Sequence, residues 1–252
     1  MSTRQYKMRQ MQDAASVNLV ALTLQACTGF GVITGMSDKG GSLVLVCWKS
    51  DSDKNVRNSI FEYVKAAELV RTEVADFSKV EGPARPRSYN VMVPMSHAGD
   101  IFHIAGNGAH VDVIADGYAE DQNADQSIHR LTCESKKPRI VASCGWQGSH
   151  PETPIFKIDV VRRTSLGVEY HPHEVPAHPG FGRCFMTHYI NGRGERAFFE
   201  KEPFLLPLDG DANAIAETLW DTLFAATKVS LAVKVIPKKG PPDVVIKNWH
   251  GD

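Results

Sequence analysis

The apolar residues of this chain come in short runs. The longest, such as Ser42-Leu43-Val44-Leu45-Val46-Cys47-Trp48, have the length of a β-strand and are far too short to span a bilayer. Turn residues close the runs. Ser37-Asp38-Lys39-Gly40-Gly41 separates Val32–Gly35 from Leu43–Trp48, which predicts a hairpin. Tyr89–Pro94, Asp100–Ala105, Ile140–Cys144, Ile155–Val161, Cys184–Ile190 and Val229–Ile236 read as further strands. Helices are fewer. Ile215, Ala216, Leu219 and Leu223 fall on one helical face, so Ala212–Leu223 is the clearest. Val17, Val20, Ala21, Leu24 and Cys27 give residues 14–27 a helical spacing, with a strand as the alternative, and a helix is predicted over His110–Arg130. Pro83 and Pro86 make 82–88 an irregular connection, 166–182 reads as a long loop rich in His and Pro, and 238–252 as a Pro/Gly/Lys tail. Strands in runs, with helices before and after them, argue an α+β fold. No repeat or composition shift divides the chain, so residues 1–237 read as one domain.

Composition narrows the class. A chain of 252 residues with 42% hydrophobic content supports a sizeable core. The net charge of -1 gives no basic field to attract nucleic acid. The five cysteines, Cys27, Cys47, Cys133, Cys144 and Cys184, are odd in number and hold no Cys-x-x-Cys pair. Reduced thiols in a cytoplasm are the simplest reading, without a cysteine zinc site. Met1–Gln12 is polar and basic and lacks the apolar core of a signal peptide. The expectation is a soluble cytoplasmic chain that neither enters a membrane nor binds nucleic acid.

Residues 106–114, Gly-Asn-Gly-Ala-His-Val-Asp-Val-Ile, follow a predicted strand and stop it with a Gly-Asn-Gly turn. Glycine and asparagine tolerate positive φ and bring backbone N–H groups close to a ligand. Asn107, His110 and Asp112 place an amide, an imidazole and a carboxylate within six residues. Alone, such a turn is as readily a connection between elements.

The stretch resembles the Asn-Gly-x-x-x-Asp-x-Ile signature of the archaeal-type IMP cyclohydrolases. Other elements stand in that family's order: Gly29–Met36, Asn55–Phe61, Tyr89-Asn90, Pro138-Arg139-Ile140, Pro179–Gly182, Tyr189, Asn191-Gly192-x-Gly194, and Phe199-Glu200-x-Glu202-Pro203. Together they span roughly residues 28–236. The resemblance implies a four-layer α-β-β-α sandwich of two antiparallel sheets, similar to the N-terminal nucleophile hydrolases. Self-processing is not expected, because Ser2 and Thr3 become nucleophiles only after processing and nothing marks an internal cleavage site.

The implied reaction closes the second purine ring. A formamido group and a neighbouring carboxamide on one ribonucleotide condense with loss of water. The enzyme must fold the two groups together, remove a proton from nitrogen and hydrogen-bond the departing oxygen. No redox change occurs, so neither cofactor nor metal is expected. The implied partner is a purine-type ribonucleotide, and the family habit is a homo-oligomer. Tyr89, Asn107, Asp112 and Glu134 are the catalytic candidates; Arg57, Asn58, His110, Arg139, Tyr189, Glu200 and Glu202 are the binding candidates.

Each candidate has a plainer reading. Arg57 and Asn58 suit a solvated polar loop, and Tyr89 a half-buried strand. Asp112 suits the first turn of a helix, where a carboxylate meets the positive end of the macrodipole. His110 suits packing, Arg139 a surface strand start, and Glu200 and Glu202 solvated charges. His171 and His173 share one side of an extended chain, as metal ligands do. Pro172 and Pro176 stiffen that loop and no partner downstream has ligand spacing, so it reads as a rim near the substrate pocket.

Two departures from the family stand out. Asp51-Ser52-Asp53 replaces a Gly-Arg-Ser, leaving Lys49 or Lys54 to supply the cation. Of the acidic pair that precedes Thr-Pro-Arg-Ile, only Glu134 remains. The alternatives are a paralogue with a different cyclisation, amide-forming or hydrolytic reaction on a related heterocyclic nucleotide, and a non-catalytic nucleotide-binding protein.

Overall fold

Ser37 turns the first hairpin. Its N–H reaches the Ser42 carbonyl at 3.0 Å and its hydroxyl donates to the Lys39 carbonyl at 2.7 Å. The runs on either side then pair in register from Gly29 opposite Ser50 to Met36 opposite Leu43. The computed structural model describes residues 2–24, 29–39, 41–79, 88–97, 100–120, 124–129, 131, 137–147, 150–190 and 195–250. In chain order the elements are α1 (Thr3–Leu24), β1 (Gly29–Met36), β2 (Leu43–Ser50), α2 (Lys54–Arg57), β3 (Ser59–Val64), β4 (Leu69–Val74), β5 (Tyr89–His97), β6 (Asp100–Gly106), α3 (His110–Ala119), α4 (Ala124–His129), β7 (Arg139–Gln147), β8 (His150–Thr164), β9 (Gly167–Glu174), β10 (Phe181–Met186), β11 (His188–Ile190), β12 (Arg196–Phe198), β13 (Phe204–Pro207), α5 (Ala212–Thr222), β14 (Lys228–Ile236) and β15 (Asp243–Asn248).

The fold is α+β, built on two large antiparallel sheets. One has six strands in the order β13-β10-β1-β2-β14-β15. The other is a seven-stranded meander from β3 to β9, and β11 with β12 makes a separate ribbon. The largest apolar cluster joins Val32, Leu45 and Ala232 of the first sheet to Met92, Ala105, Ala142 and Ile158 of the second. Contacts of β1 and β2 with β6, β7 and β8 place the sheets face to face. Helices α1 and α5 pack on the six-stranded sheet, and α3 packs on β5 and β6 of the seven-stranded one. A second cluster, Val93, Ile104, Val141 and Val161 with Val111, Ile114 and Tyr118, fills the space under α3.

Helix α5 forms as its spacing predicts. Asp211 caps it by accepting the Ala214 N–H at 2.9 Å, and Ile215, Ala216 and Leu219 are buried. Each fully buried Ile or Leu stabilises by about 1.5–3 kcal/mol.

The fold differs from the sequence reading in four places. Helix α1 starts at Thr3 rather than residue 14, and it buries the other stripe. Ala15 and Leu22 are buried and Met8, Met11 and Leu19 pack with them, whereas Val17, Val20 and Leu24 are 68%, 61% and 81% exposed. Both stripes are apolar, so periodicity alone does not choose; Asn18 sides with the buried one by donating to the Leu205 carbonyl at 2.9 Å. The predicted helix over 110–130 is two, α3 and α4.

Residues 166–182 are not a loop: Gly167–Glu174 form β9 and Phe181 opens β10. β9 is the edge of its sheet, where a proline such as Pro172 removes no obligatory ladder bond. The tail is a strand too. β15 pairs with β14, and the Asn248 amide accepts from Phe61 N–H at 2.9 Å and donates to its carbonyl at 3.0 Å. That side chain ties the edge of one sheet to the edge of the other. The predicted connection over 82–88 lies outside the described residues except for Ser88. Among the described residues no helix is long and apolar enough to cross a membrane.

A charged residue is buried in the interior. Lys234 is fully buried, and its ammonium donates to the Glu68 carbonyl at 2.6 Å. Glu68 holds a left-handed φ of 51° at the turn between β3 and β4, so the bond braces that turn from the opposite sheet.

Candidate functional site

The Gly106–Ala109 turn and the start of β7 form one hydrogen-bonded latch. Asn107 donates to the Pro138 carbonyl at 2.9 Å and accepts from Ile140 N–H at 2.8 Å. Its amide therefore spans Arg139 as a strand neighbour would. His110 is buried, with Nε2 3.2 Å from the Ile140 carbonyl and Nδ1 3.3 Å from the Arg139 guanidinium. The Arg139 guanidinium has donors and no acceptor lone pair, so Nδ1 accepts its hydrogen bond and Nε2 carries the hydrogen given to the Ile140 carbonyl. Burial is the main reason that this imidazole is held down at about 4; the Arg139 charge adds to it, against the Ile140 carbonyl. Three sequence-predicted residues, Asn107, His110 and Arg139, thus come together.

Asp112 is not bonded to them. It lies in the first turn of α3 and accepts from the Asn90 amide at 2.6 Å. Tyr89, next to Asn90, packs against the core between the sheets. Successive strand residues point to opposite faces, so Tyr89 and Asp112 are on opposite sides of the seven-stranded sheet. Asn58 is buried and paired with Asp76: its amide donates to the Asp76 carbonyl at 2.6 Å and accepts the Asp76 N–H at 3.0 Å. Arg57 donates to the Ala226 carbonyl at 3.1 Å and lies over the Trp249 ring at 5.1 Å. Glu202 pairs with His173 at 3.0 Å, Glu200 is exposed, and Tyr189 lies under Lys201 at 5.7 Å and edge-on to Phe199. Glu134 and the Asn191–Gly194 element lie outside the described residues.

The charged groups that converge are others, with Lys49 at their centre. Phe30, Lys49 and Ser230 stand opposite one another on β1, β2 and β14 and so share a face. Phe30 meets Phe61 of β3 at 6.4 Å, which identifies that face as the one between the sheets. Lys49 donates to the Ser59 hydroxyl at 2.8 Å, and Ser59 passes its own proton to the Val56 carbonyl at 2.6 Å. Burial and then the nearby Lys137 charge lower the Lys49 amine to about 8, against the pull of Asp51.

His188 of β11 lies in the same electrostatic neighbourhood. Its Nδ1 accepts from Arg196 at 3.3 Å and lies 2.9 Å from the Thr187 hydroxyl. Burial first, then Arg196 and Lys137, hold it down at about 4. Gly29 admits this packing: it has a φ of 135°, and a Cβ there would overlap the Thr187 hydroxyl oxygen. Thr187 also accepts the Phe30 N–H at 2.9 Å.

Lys137 is therefore within electrostatic reach of both Lys49 and His188, Arg196 bonds His188, and Asp51 is the nearby carboxylate that the titration of Lys49 and His188 senses. Such a set suits a phosphate or another compact anion. The latch has a part in it. Because Asn107 fixes both Pro138 and Ile140, it also fixes the segment that presents Lys137. The sequence reading named Lys49 as a substitute cation and missed Lys137, Arg196 and His188. Only the position of Lys137, beside Pro138-Arg139-Ile140, pointed to it.

His171 and His173 do not share a partner: each faces its own carboxylate, Glu169 at 3.3 Å and Glu202 at 3.0 Å. Among the described residues no group of three or more His, Cys, Asp or Glu side chains is placed to hold a metal ion. No protein-family model matches the chain, and no curated protein matches it.

Proposed function

We propose that the chain is a ring-closing enzyme of the IMP cyclohydrolase kind, acting on a phosphorylated imidazole ribonucleotide at the mouth between its sheets. The cationic neighbourhood of Lys137, which acts on both Lys49 and the Arg196-bonded His188, carries the reading. Lys137 and Arg196 take the 5′-phosphate, and the imidazole reaches inward toward Phe30, Phe61 and Tyr89. The Tyr89 hydroxyl hydrogen-bonds the formyl oxygen as it departs. Lys49, with a neutral fraction near pH 7, takes the proton that the carboxamide nitrogen loses. Two stacked antiparallel sheets with helices on their outer faces support assignment to the four-layer architecture of the N-terminal nucleophile hydrolases.

The test is direct. Purified chain is mixed with 5-formamidoimidazole-4-carboxamide ribonucleotide, and IMP is followed by ultraviolet absorbance. Formation that is lost in Lys49→Met and weakened in Tyr89→Phe supports the reading; no IMP with intact folded protein removes it. A second reading is nucleotide binding without ring closure. It is favoured by one observation: Asn107 and Asp112, two candidates for the chemistry, already hold protein partners. A nucleotide that raises the melting temperature without turnover selects it.

A further inference from the structure

The face of the seven-stranded sheet that carries α3 and α4 holds a cavity of about 240 Å³, walled by α4, β8 and β9. Val161 and Tyr170 stand opposite each other there and pack with Ile128 of α4. Strand residues alternate faces, so Lys157 and Asp159 of β8 share that face with Val161, as does Pro172 of β9, which stands opposite Asp159. Lys157 Nζ lies 3.0 Å from Asp159 Oδ1. Asp159 is 5% exposed and marks the base of the cavity, whereas His129 and Pro172 are exposed at its rim. The Tyr170 and His129 rings meet at 4.3 Å, tilted by 46°. The Tyr170 hydroxyl donates to the His129 carbonyl at 2.6 Å, so it holds α4 to β9 and leaves its ring to wall the cavity.

We propose that this cavity is a binding site for small planar heterocycles with a lactam edge, an N–H beside a C=O. The inference is independent of the ring-closure reading and of the phosphate site at the mouth between the sheets. Lys157 and Asp159 set a group that only donates beside a group that only accepts. A lactam edge meets both at once: its N–H gives to Asp159 and its C=O takes from Lys157, with the ion pair left in place. A ligand that brings full charges, such as a free amino acid, has to part that pair. The two charges also cancel, so the base of the cavity offers no net attraction to a phosphate. The rings of Tyr170, His129 and Pro172 supply flat walls for the faces of a planar ligand. At about 240 Å³ the cavity is smaller than the roughly 300–1,000 Å³ that drug-sized ligands fill, which limits the occupant to one or two rings.

The probe is 2-quinolone, a two-ring lactam, used on the full chain. Its control is 1-methyl-2-quinolone, which keeps the rings and the C=O and lacks the N–H. Calorimetric titration should give one site per chain for 2-quinolone and at least about tenfold weaker binding for the methylated ring, the value of one hydrogen bond to a charged group. The methyl group also adds bulk, so a variant separates the two effects. Asp159→Asn keeps the shape of the side chain and replaces an acceptor oxygen with a donor. It should weaken 2-quinolone by about tenfold or more and leave the methylated ring within about twofold. The ring-proton signals of His129, identified by their loss in His129→Gln, should move as 2-quinolone is added. Equal affinity for the two lactams overturns the proposal, as do His129 signals that stay still while heat is released, or no binding of 2-quinolone at millimolar concentration to folded chain. Phenylalanine that binds more tightly than 2-quinolone overturns it in favour of a site for zwitterions. If Asp159→Asn does not fold, the comparison of the two lactams and the His129 signals decide alone.

Discussion

Asn90 and Asp112 join β5 to α3 through a hydrogen bond of 2.6 Å, on the side of the seven-stranded sheet away from the other sheet. The carboxylate that the sequence offers as a catalyst is, in the folded chain, an anchor for a helix. Its place in the first turn also sets a negative charge against the positive end of the helix dipole.

Asp112→Ala is therefore expected to act on stability. A charge-assisted hydrogen bond at a part-buried site contributes about 1.5–3 kcal/mol. In a chain of this size each 1 kcal/mol moves the melting temperature by about 2–4 °C. Thermal melts should show the loss, while the affinity for a phosphorylated ligand at the mouth stays within about twofold, since the bond is on the other face. A large loss of affinity in a variant with an unchanged melt sinks this assignment.

Asn107 calls for an amide and nothing else. It donates to one backbone group and accepts from another, on either side of Arg139. Asn107→Asp keeps the shape but sets a carboxylate oxygen against the Pro138 carbonyl. We expect it to destabilise as much as Asn107→Ala, by about 2–3 kcal/mol for two lost bonds. Both should also weaken anion binding, because Lys137 loses its fixed base. Urea titrations and phosphate binding measured on the two variants check this; an aspartate variant as stable as the parent contradicts it.

How far the sequence shows this can be followed in Asn107 itself. The Gly-Asn-Gly turn and Pro138-Arg139-Ile140 are legible as motifs, and the strands around them are legible from their apolar runs. That the two motifs bond to each other is not, because 31 residues separate Asn107 from Pro138 and no local pattern records their pairing. The same holds for β15. Val244-Val245-Ile246 is a strand only because β14 lies beside it, and the prolines and lysines before it outweigh three residues in any local reading. The stripe of α1 fails for a different reason. Two apolar faces compete on one helix, and the winner is set by the β13 backbone that Asn18 meets. The mouth was least legible. Lysines and arginines are common on surfaces, and only the packing of elements from three separate sheets brings Lys137 near Lys49 and the Arg196-bonded His188.

Acid should unfold the chain early. His103, His110 and His188 are held at about 3, 4 and 4, each chiefly by burial. In the unfolded chain they take up protons near 6.5. Between that value and about 4 the unfolded chain binds more protons, so stability is present above pH 6.5 and falls as pH drops through the window. By pH 5 each histidine costs about 2 kcal/mol. Urea unfolding at pH 7 and pH 5 measures this, and His103→Gln should shrink the difference. Equal stability at the two pH values would mean that these rings are not held neutral.

Arg57 and Lys137 give the sharpest comparison of sequence reading with structure. The family resemblance offers Arg57 as a binding residue, for the phosphate or for a substrate oxygen. In the structure its guanidinium donates to the Ala226 carbonyl and lies over Trp249, a residue that follows β15. Those contacts hold α2 against the C-terminal strand, so Arg57→Ala should lower stability by about 1 kcal/mol, as the loss of a hydrogen bond and a cation–π contact suggests. It should weaken a nucleotide and its nucleoside equally. Lys137→Ala should instead cause a selective loss of about tenfold or more for the nucleotide. Titrating both variants with a 5′-nucleotide and the matching nucleoside, at low and then high salt, separates them. A nucleotide-selective loss in Arg57→Ala, with none in Lys137→Ala, would move the anion site from the mouth to α2.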